Sequence, residues 1–153
     1  MKLKKFKMKI TTFRDEYYFL SNFSPSIIVV EKIKVPTVEH AYQGKKTNNL
    51  SERLTIYNAE TPGEAKRLGR KVKMRKNWEG IKFNIMYKLL KKKFTIPELR
   101  KKLLDTGDAH LEEENTWGDR VWGTVHGEGE NHLGKLLMKI RMEIKNEKRR
   151  THI

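Results

Sequence analysis

A chain of 153 residues, 37% of them hydrophobic, suits one domain with a core of its own. The absence of cysteine excludes disulfides and thiolate metal ligands, and no apolar run approaches the ~18 residues of a membrane span, so a soluble protein in a reducing cytoplasm is expected. The formal charge of +15 suits a phosphorylated small molecule or a nucleic acid as partner, and equally a lysine-rich surface that binds neither.

The start, Met1 to Lys9, is a basic extension that leads into no signal-peptide core. Residues 8 to 35 read as extended. Ile10-Thr11-Thr12-Phe13 and Ile27-Ile28-Val29-Val30 are β-branched runs separated by a Ser21-Asn22-Phe23-Ser24-Pro25 turn. Asn22 and Phe23 in that turn can grip a base or sugar; a purely structural turn is the other reading.

From Thr37 the pattern is mostly helical. Pro36-Thr37 is a helix start with Thr37 as cap. If Val38 to Asn48 is helical, Glu39, Tyr42, Gln43 and Lys46 fall at i, i+3, i+4 and i+7 and line one stripe. A carboxylate, an amide and a lysine on one stripe fit a site wall, with a surface ion network as the alternative. Thr61-Pro62-Gly63-Glu64 is a capping box opening a helix through Ala65, Leu68 and Val72. Trp78, Ile81, Ile85 and Leu89 form a core stripe on a long helix. Thr95-Ile96-Pro97-Glu98 repeats the capping box before Leu99 to Leu104, and Gly107 marks the turn beyond.

Residues 106 to 130 lose the helical period, and glycines at 107, 118, 123, 127 and 129 imply an irregular folded loop. Within it lies Trp117-Gly118-Asp119-Arg120-Val121-Trp122-Gly123. Tryptophan faces stack on flat heterocycles and an aspartate binds a hydroxyl or polarises water; alternatively, the two tryptophans pin the loop to the core. Asn131 is placed to cap a last helix with the apolar stripe Leu133, Leu137, Ile140 and Ile144. The tail from 148 to 153 is basic and expected to fray. The five histidines show no metal-ligand spacing, and there is no Walker, Rossmann or nucleophile-elbow motif. The chain reads as cofactor-free and metal-free. The fold class is mainly α, a single helical domain over 10–147 with a small extended N-terminal section, and monomeric or weakly oligomeric.

Several of these segments occur together in one order: Tyr18 to Pro25, Pro36 to Gln43 with Lys46, Thr61 to Lys66 with Leu68-Gly69-Arg70, Arg75 with Trp78, Thr106-Gly107-Asp108, Trp117 to Gly123, and Asn131 with Leu133 to Met138 and Arg141. In that order, over roughly residues 10 to 144, the chain resembles the YbiA-like family of the NADAR superfamily. The resemblance implies a YbiA-like helical fold and an N-glycosidase activity. It implies one of two substrates: ribosylaminopyrimidine intermediates of riboflavin synthesis, releasing ribose 5-phosphate, or ADP-ribosylated guanine in nucleic acid. Family functional residues carry over onto Glu39, Trp78 and Asp119, and Lys46 matches a family position. Ala41, where many relatives carry an aromatic residue, and the basic N-terminus are departures.

On that basis Glu39 would activate water or stabilise an oxocarbenium-like transition state, with Asp119 in the second polar role or the reverse. Trp78 or Trp122 would stack on the ring, and Lys46 with Arg70 or Arg75 would receive a phosphate. Asn22, Phe23, Tyr42, Gln43, Trp117 and Asn131 complete the expected substrate contacts. A non-catalytic nucleic-acid-binding module is a third class, and it leaves the acidic and tryptophan positions without a purpose.

Overall fold

The structure is a computed structural model and describes residues 8–151; most of the basic N-terminal extension, with His152 and Ile153, lies outside the described residues. In chain order the elements are β1 (Lys9–Ile10), a 3-10 helix (Asp15–Leu20), β2 (Ile28–Val30), β3 (Ile33–Val35), α1 (Val38–Gly44), α2 (Leu50–Tyr57), α3 (Pro62–Gly69), α4 (Trp78–Lys93), α5 (Pro97–Asp105), β4 (His110–Leu111) and α6 (His132–Thr151). The mainly helical class with a small strand section is the one expected. The chain divides into two compact units, residues 21–96 and the combination of 8–20 with 97–151.

In the unit of residues 21–96, β2 and β3 form an antiparallel hairpin with Ile28 opposite Val35 and Val30 opposite Ile33. Ile28, Val30 and Val35 are buried while Val29 and Lys34 face outward, the period-2 alternation of a one-sided sheet. The two turn residues, Glu31 and Lys32, both have positive φ (51° and 68°), as a two-residue hairpin of the right twist requires. Glu31 is held there by Lys45 and Arg53, whose cations hold its carboxyl below the usual range.

α1 is the hub of this unit. It lies against α2, α3, α4 and β3, and each of its residues is buried. Thr37 caps it, accepting from the His40 N–H. The helix stops at Gly44, four residues short of the expected end, so Lys46 is in the following turn. There the Lys46 N–H turns back to the Gln43 carbonyl, and Arg53 donates to the Gly44 and Thr47 carbonyls that a longer helix would have used. α3 starts as expected at its Thr61 cap with Pro62 in the first turn, and ends at Gly69, leaving Val72 outside.

α4 buries Trp78, Met86, Leu89, Leu90 and Lys93, while Ile81 and Ile85 are only half-buried. The buried face is thus rotated from the expected stripe toward Met86 and Lys93. Thr95 does not cap α5: its hydroxyl donates to the Lys92 carbonyl and so serves the end of α4.

In the other unit, β1 pairs in parallel with β4, Lys9 opposite His110 and Ile10 opposite Leu111. The run Ile10 to Phe13 is therefore only briefly a strand, and residues 15–20 are a 3-10 helix that packs on α5. α6 carries the expected stripe of Leu133, Leu137, Ile140 and Ile144, all buried. It continues through Thr151, so the basic segment from Lys148 is helical up to that residue. Buried Arg141 on α6 donates to the Thr106 hydroxyl and the Ala109 carbonyl, and Lys145 donates to the Gly107 carbonyl. Those bonds fix a turn in which Gly107 has φ +62°. No helix among the described residues is long and apolar enough to cross a membrane.

Candidate active site

In the unit of residues 21–96, α1 positions a polar cluster inside the protein. Glu39 is 7% exposed and Gln43 4%. One turn apart on the same face, they are joined by a bond from Gln43 Nε2 to Glu39 Oε1 at 2.8 Å. That bond orients the amide and leaves Gln43 Oε1 buried without a partner. The Cα of Gly69 closes over this oxygen. A Cβ at position 69 would come within 1.9 Å of it, so α3 carries glycine there to approach α1. The Glu39 N–H donates to the Asn22 carbonyl at 3.1 Å, which docks the Ser21 to Pro25 turn on the first turn of α1.

His40, beside Glu39, supports the helix. Its Nε2 donates to the Ala59 carbonyl at 2.9 Å, so Nδ1 accepts from the Thr37 hydroxyl at 2.8 Å. Burial pushes the imidazole below its ordinary value, only partly offset by the Ala59 bond.

Aromatic and cationic groups lie on α1 and in the turn that follows it, and pack beside it. Tyr42 and Trp78, the first residue of α4, are both buried, with ring centroids 5.3 Å apart and planes at 51°. Lys46 Nζ stands 5.7 Å from the Tyr42 centroid. Burial depresses the Lys46 amine; Glu39 acts against this, while Arg70, Lys66 and Lys82 add to it. Three further cations and the Glu39 carboxylate therefore act on Lys46, and one of those cations, Lys82, is itself paired with Glu79. Lys66 also lies 5.9 Å over the Phe23 ring. Asn22 donates from Nδ2 to the Met86 sulfur at 3.6 Å, and its Oδ1 is buried and unpartnered. Of the expected site residues, Asn22, Phe23, Glu39, Tyr42, Gln43, Lys46, Arg70 and Trp78 thus belong to this unit. Arg75 does too. It lines one groove with Lys73, Lys76 and Glu52, and a second with Lys45, Lys88 and Lys92.

Asp119, Trp117, Trp122 and Asn131 belong to the other unit. Asp119 Oδ1 accepts from the Val121 and Trp122 N–H groups at 3.0 and 2.9 Å. The carbonyls of those two residues in turn accept from the His132 and Leu133 N–H groups at the start of α6. Asn115 braces the loop by accepting from the Asp119 N–H and donating to the Asp119 carbonyl. Asp119 is thus half-buried and held by one oxygen. Trp122 meets His132 edge-on at 6.4 Å, and Trp117 is 55% exposed. Asn131 stands where expected, just before α6, its carbonyl accepting from the Lys135 N–H, but its side chain does not cap the helix. Its amide accepts from the Glu113 N–H and donates to the Leu111 carbonyl, so it ties β4 to α6 while the loop carbonyls satisfy the helix start.

The NADAR domain matches residues 8–145. The chain belongs to the NADAR family. This NADAR chain is 41% identical over 138 residues to the N-glycosidase YbiA of Escherichia coli, covering 88% of the chain and 86% of that protein. It is 41% identical over 137 residues to an N-glycosidase of Nostoc punctiforme, covering 85% and 87%. The riboflavin biosynthesis protein PYRR of Zea mays is 38% identical over 149 residues, which is 85% of this chain and 24% of that longer protein. The NMR structure of Escherichia coli YbiA superposes with a TM-score of 0.82 at 38% identity, covering 94% of this NADAR chain and 89% of that one.

Two features of this chain escaped the sequence reading. Lys66 entered only as the end of the Thr61 to Lys66 segment and Lys82 not at all; the signal for Lys82 is its place one turn after Trp78 on α4, and nothing local to Lys66 marks it. Lys93 read as part of a basic run, yet it follows Leu89 by four residues and Met86 by seven, on the buried face of α4.

Proposed function

We propose that this protein is an N-glycosidase that hydrolyses the C1′–N bond of ribosylaminopyrimidine intermediates of riboflavin synthesis and releases ribose 5-phosphate. The observation that carries this reading is the buried Glu39 carboxylate, oriented by Gln43 and set among Lys46, Lys66, Arg70 and Lys82. The relatives named N-glycosidases and riboflavin biosynthesis proteins support it.

Water adds across the bond: hydroxide goes to C1′ and a proton to the departing nitrogen. The transition state resembles an oxocarbenium ion, whose charge an adjacent carboxylate stabilises. Glu39 takes that role or deprotonates the water. Tyr42 or Trp78 offers an aromatic surface to the pyrimidine. Lys46 and its cationic neighbours Lys66 and Arg70 receive the 5-phosphate, a dianion that such positive charges attract more strongly where water is partly excluded.

Hydrolysis of ADP-ribosylated guanine in nucleic acid is the second reading. It is favoured by the charge of +15 and by the basic grooves around Arg75. Parallel assays on a ribosylaminopyrimidine phosphate made in situ and on DNA carrying ADP-ribosylated guanine separate the two. Release of ribose 5-phosphate alone supports metabolite hydrolysis, release of ADP-ribose alone supports the second reading, and no release from either rejects both.

A further inference from the structure

Lys93 is the most deeply buried charged residue type in the unit of residues 21–96, with 0% exposure at the C-terminal end of α4. Lysine is almost never fully buried without a reason. Lys93 Nζ donates to the Ser21 carbonyl at 2.9 Å and to Ser24 Oγ at 3.0 Å. The Phe94 ring lies 5.3 Å away. Burial alone drives its amine down to about 7.

Both acceptors belong to the Ser21 to Pro25 turn. Within that turn the Ser24 N–H and hydroxyl also converge on the Ser21 carbonyl, at 3.1 and 2.9 Å. The next carbonyl, that of Asn22, accepts from the Glu39 N–H. The turn is therefore tied to Lys93 through Ser21 and Ser24 and, by a separate bond at the neighbouring carbonyl, to the backbone of Glu39. Asn22 and Phe23 sit between the two anchor points.

We infer that Lys93 is a positioning residue: its ammonium or amine group clamps the Ser21 to Pro25 turn, so that Asn22 and Phe23 are held against α1 in the arrangement that binds substrate. This inference rests on the proposed N-glycosidase reading for its kinetic arm only. An apolar side chain of the same length would fill the same space and avoid the cost of burying a charge, yet it would take away the two bonds that tie the turn to α4 and leave the Ser21 carbonyl and Ser24 hydroxyl only the bonds internal to the turn. A lysine kept at that cost points to the turn it holds and away from simple packing.

The test is Lys93→Met, which preserves volume and is expected to fold. For the substrate that the unaltered protein hydrolyses, KM should rise about tenfold while kcat changes by less than about threefold, since binding geometry is lost and the carboxylate remains. Hydrogen exchange should quicken at the Ser24 and Glu39 amides, which report the turn directly and need no substrate. Because the chain has no cysteine, Lys93→Cys can be alkylated in denaturant with 2-bromoethylamine and refolded, which restores an amine at that site alone. Recovery of KM in the aminoethylated protein, beside its absence in Lys93→Met, supports the assignment. Unchanged KM and unchanged exchange in a folded Lys93→Met protein overturn it. So does a loss confined to active fraction or thermal midpoint, which is what a packing role would produce. If the unaltered protein hydrolyses neither substrate, the N-glycosidase reading falls, and the exchange arm decides Lys93 by itself: quickening at Ser24 and Glu39 keeps the clamp, and its absence removes it.

Discussion

Glu39 is the residue on which the chemistry turns. Its carboxylate is buried, and its main-chain N–H and side-chain Oε1 are both held. Glu39→Gln keeps the shape and removes the charge, so turnover should fall by at least about tenfold while the melting temperature barely moves. Full activity in the folded variant would remove Glu39 from the mechanism. Other side chains in the same unit shape the pH dependence of stability, Lys93, His40 and Tyr57 among them. Burial lowers Lys93 from 10.5 to about 7 and lowers His40 from 6.5, so the unfolded chain binds protons that the folded chain does not. Stability therefore rises with pH through both windows, below 6.5 for His40 and from about 7 to 10.5 for Lys93. Tyr57 acts oppositely: burial raises it from 10.0 to about 12, so its contribution is complete below pH 10 and lost as pH climbs toward 12. Melting temperature should climb from pH 7 to about 9.5 and fall beyond 10, and the climb should flatten in Lys93→Met. A melting temperature that falls steadily from pH 7 would contradict these assignments.

At the scale of elements, the β2–β3 hairpin holds a correctable strain. Lys32 occupies the left-handed region with φ 68°, where a side chain costs about 1–2 kcal/mol and glycine costs nothing sterically. After the extra entropy that glycine loses on folding, Lys32→Gly should stabilise by about 0.5–1 kcal/mol in urea unfolding; a lower midpoint would mean that Lys32 contributes something else. This turn also shows why parts of the fold were hidden in the sequence. The hairpin was invisible because Glu-Lys replaces the usual Asn-Gly, with ion pairs from Lys45 and Arg53 holding Glu31 in its place. Caps whose effect is local, Thr37 and Thr61, were legible and act as read. Thr95 and Asn131 fit the same local pattern, yet the Thr95 hydroxyl turns back to the Lys92 carbonyl and the Asn131 side chain bonds Leu111 and Glu113, far away in the chain. The candidate site was legible where helical spacing set it, as at Glu39, Tyr42 and Gln43. It was not where a turn returned the chain, as at Lys46, or where a lysine faced inward, as at Lys93.

For the whole molecule, the excess of 15 positive charges is a standing repulsion. Screening should relieve it, so raising NaCl from low ionic strength to about 0.5 M should raise the melting temperature, the Debye length falling well below ~10 Å. A flat or falling response would show that favourable ion pairs such as Arg53–Glu31 outweigh the repulsion. The pairing of Lys9 with His110 carries a consequence for synthesis. β1 leaves the ribosome on the order of a hundred residues before its partner strand, about 5–20 s at ordinary elongation rates. Residues 21–96 meanwhile emerge as an uninterrupted stretch and need nothing translated later for the contacts within their own unit. The nascent chain can therefore complete the Glu39 cluster while its first strand still waits, unpaired, for β4.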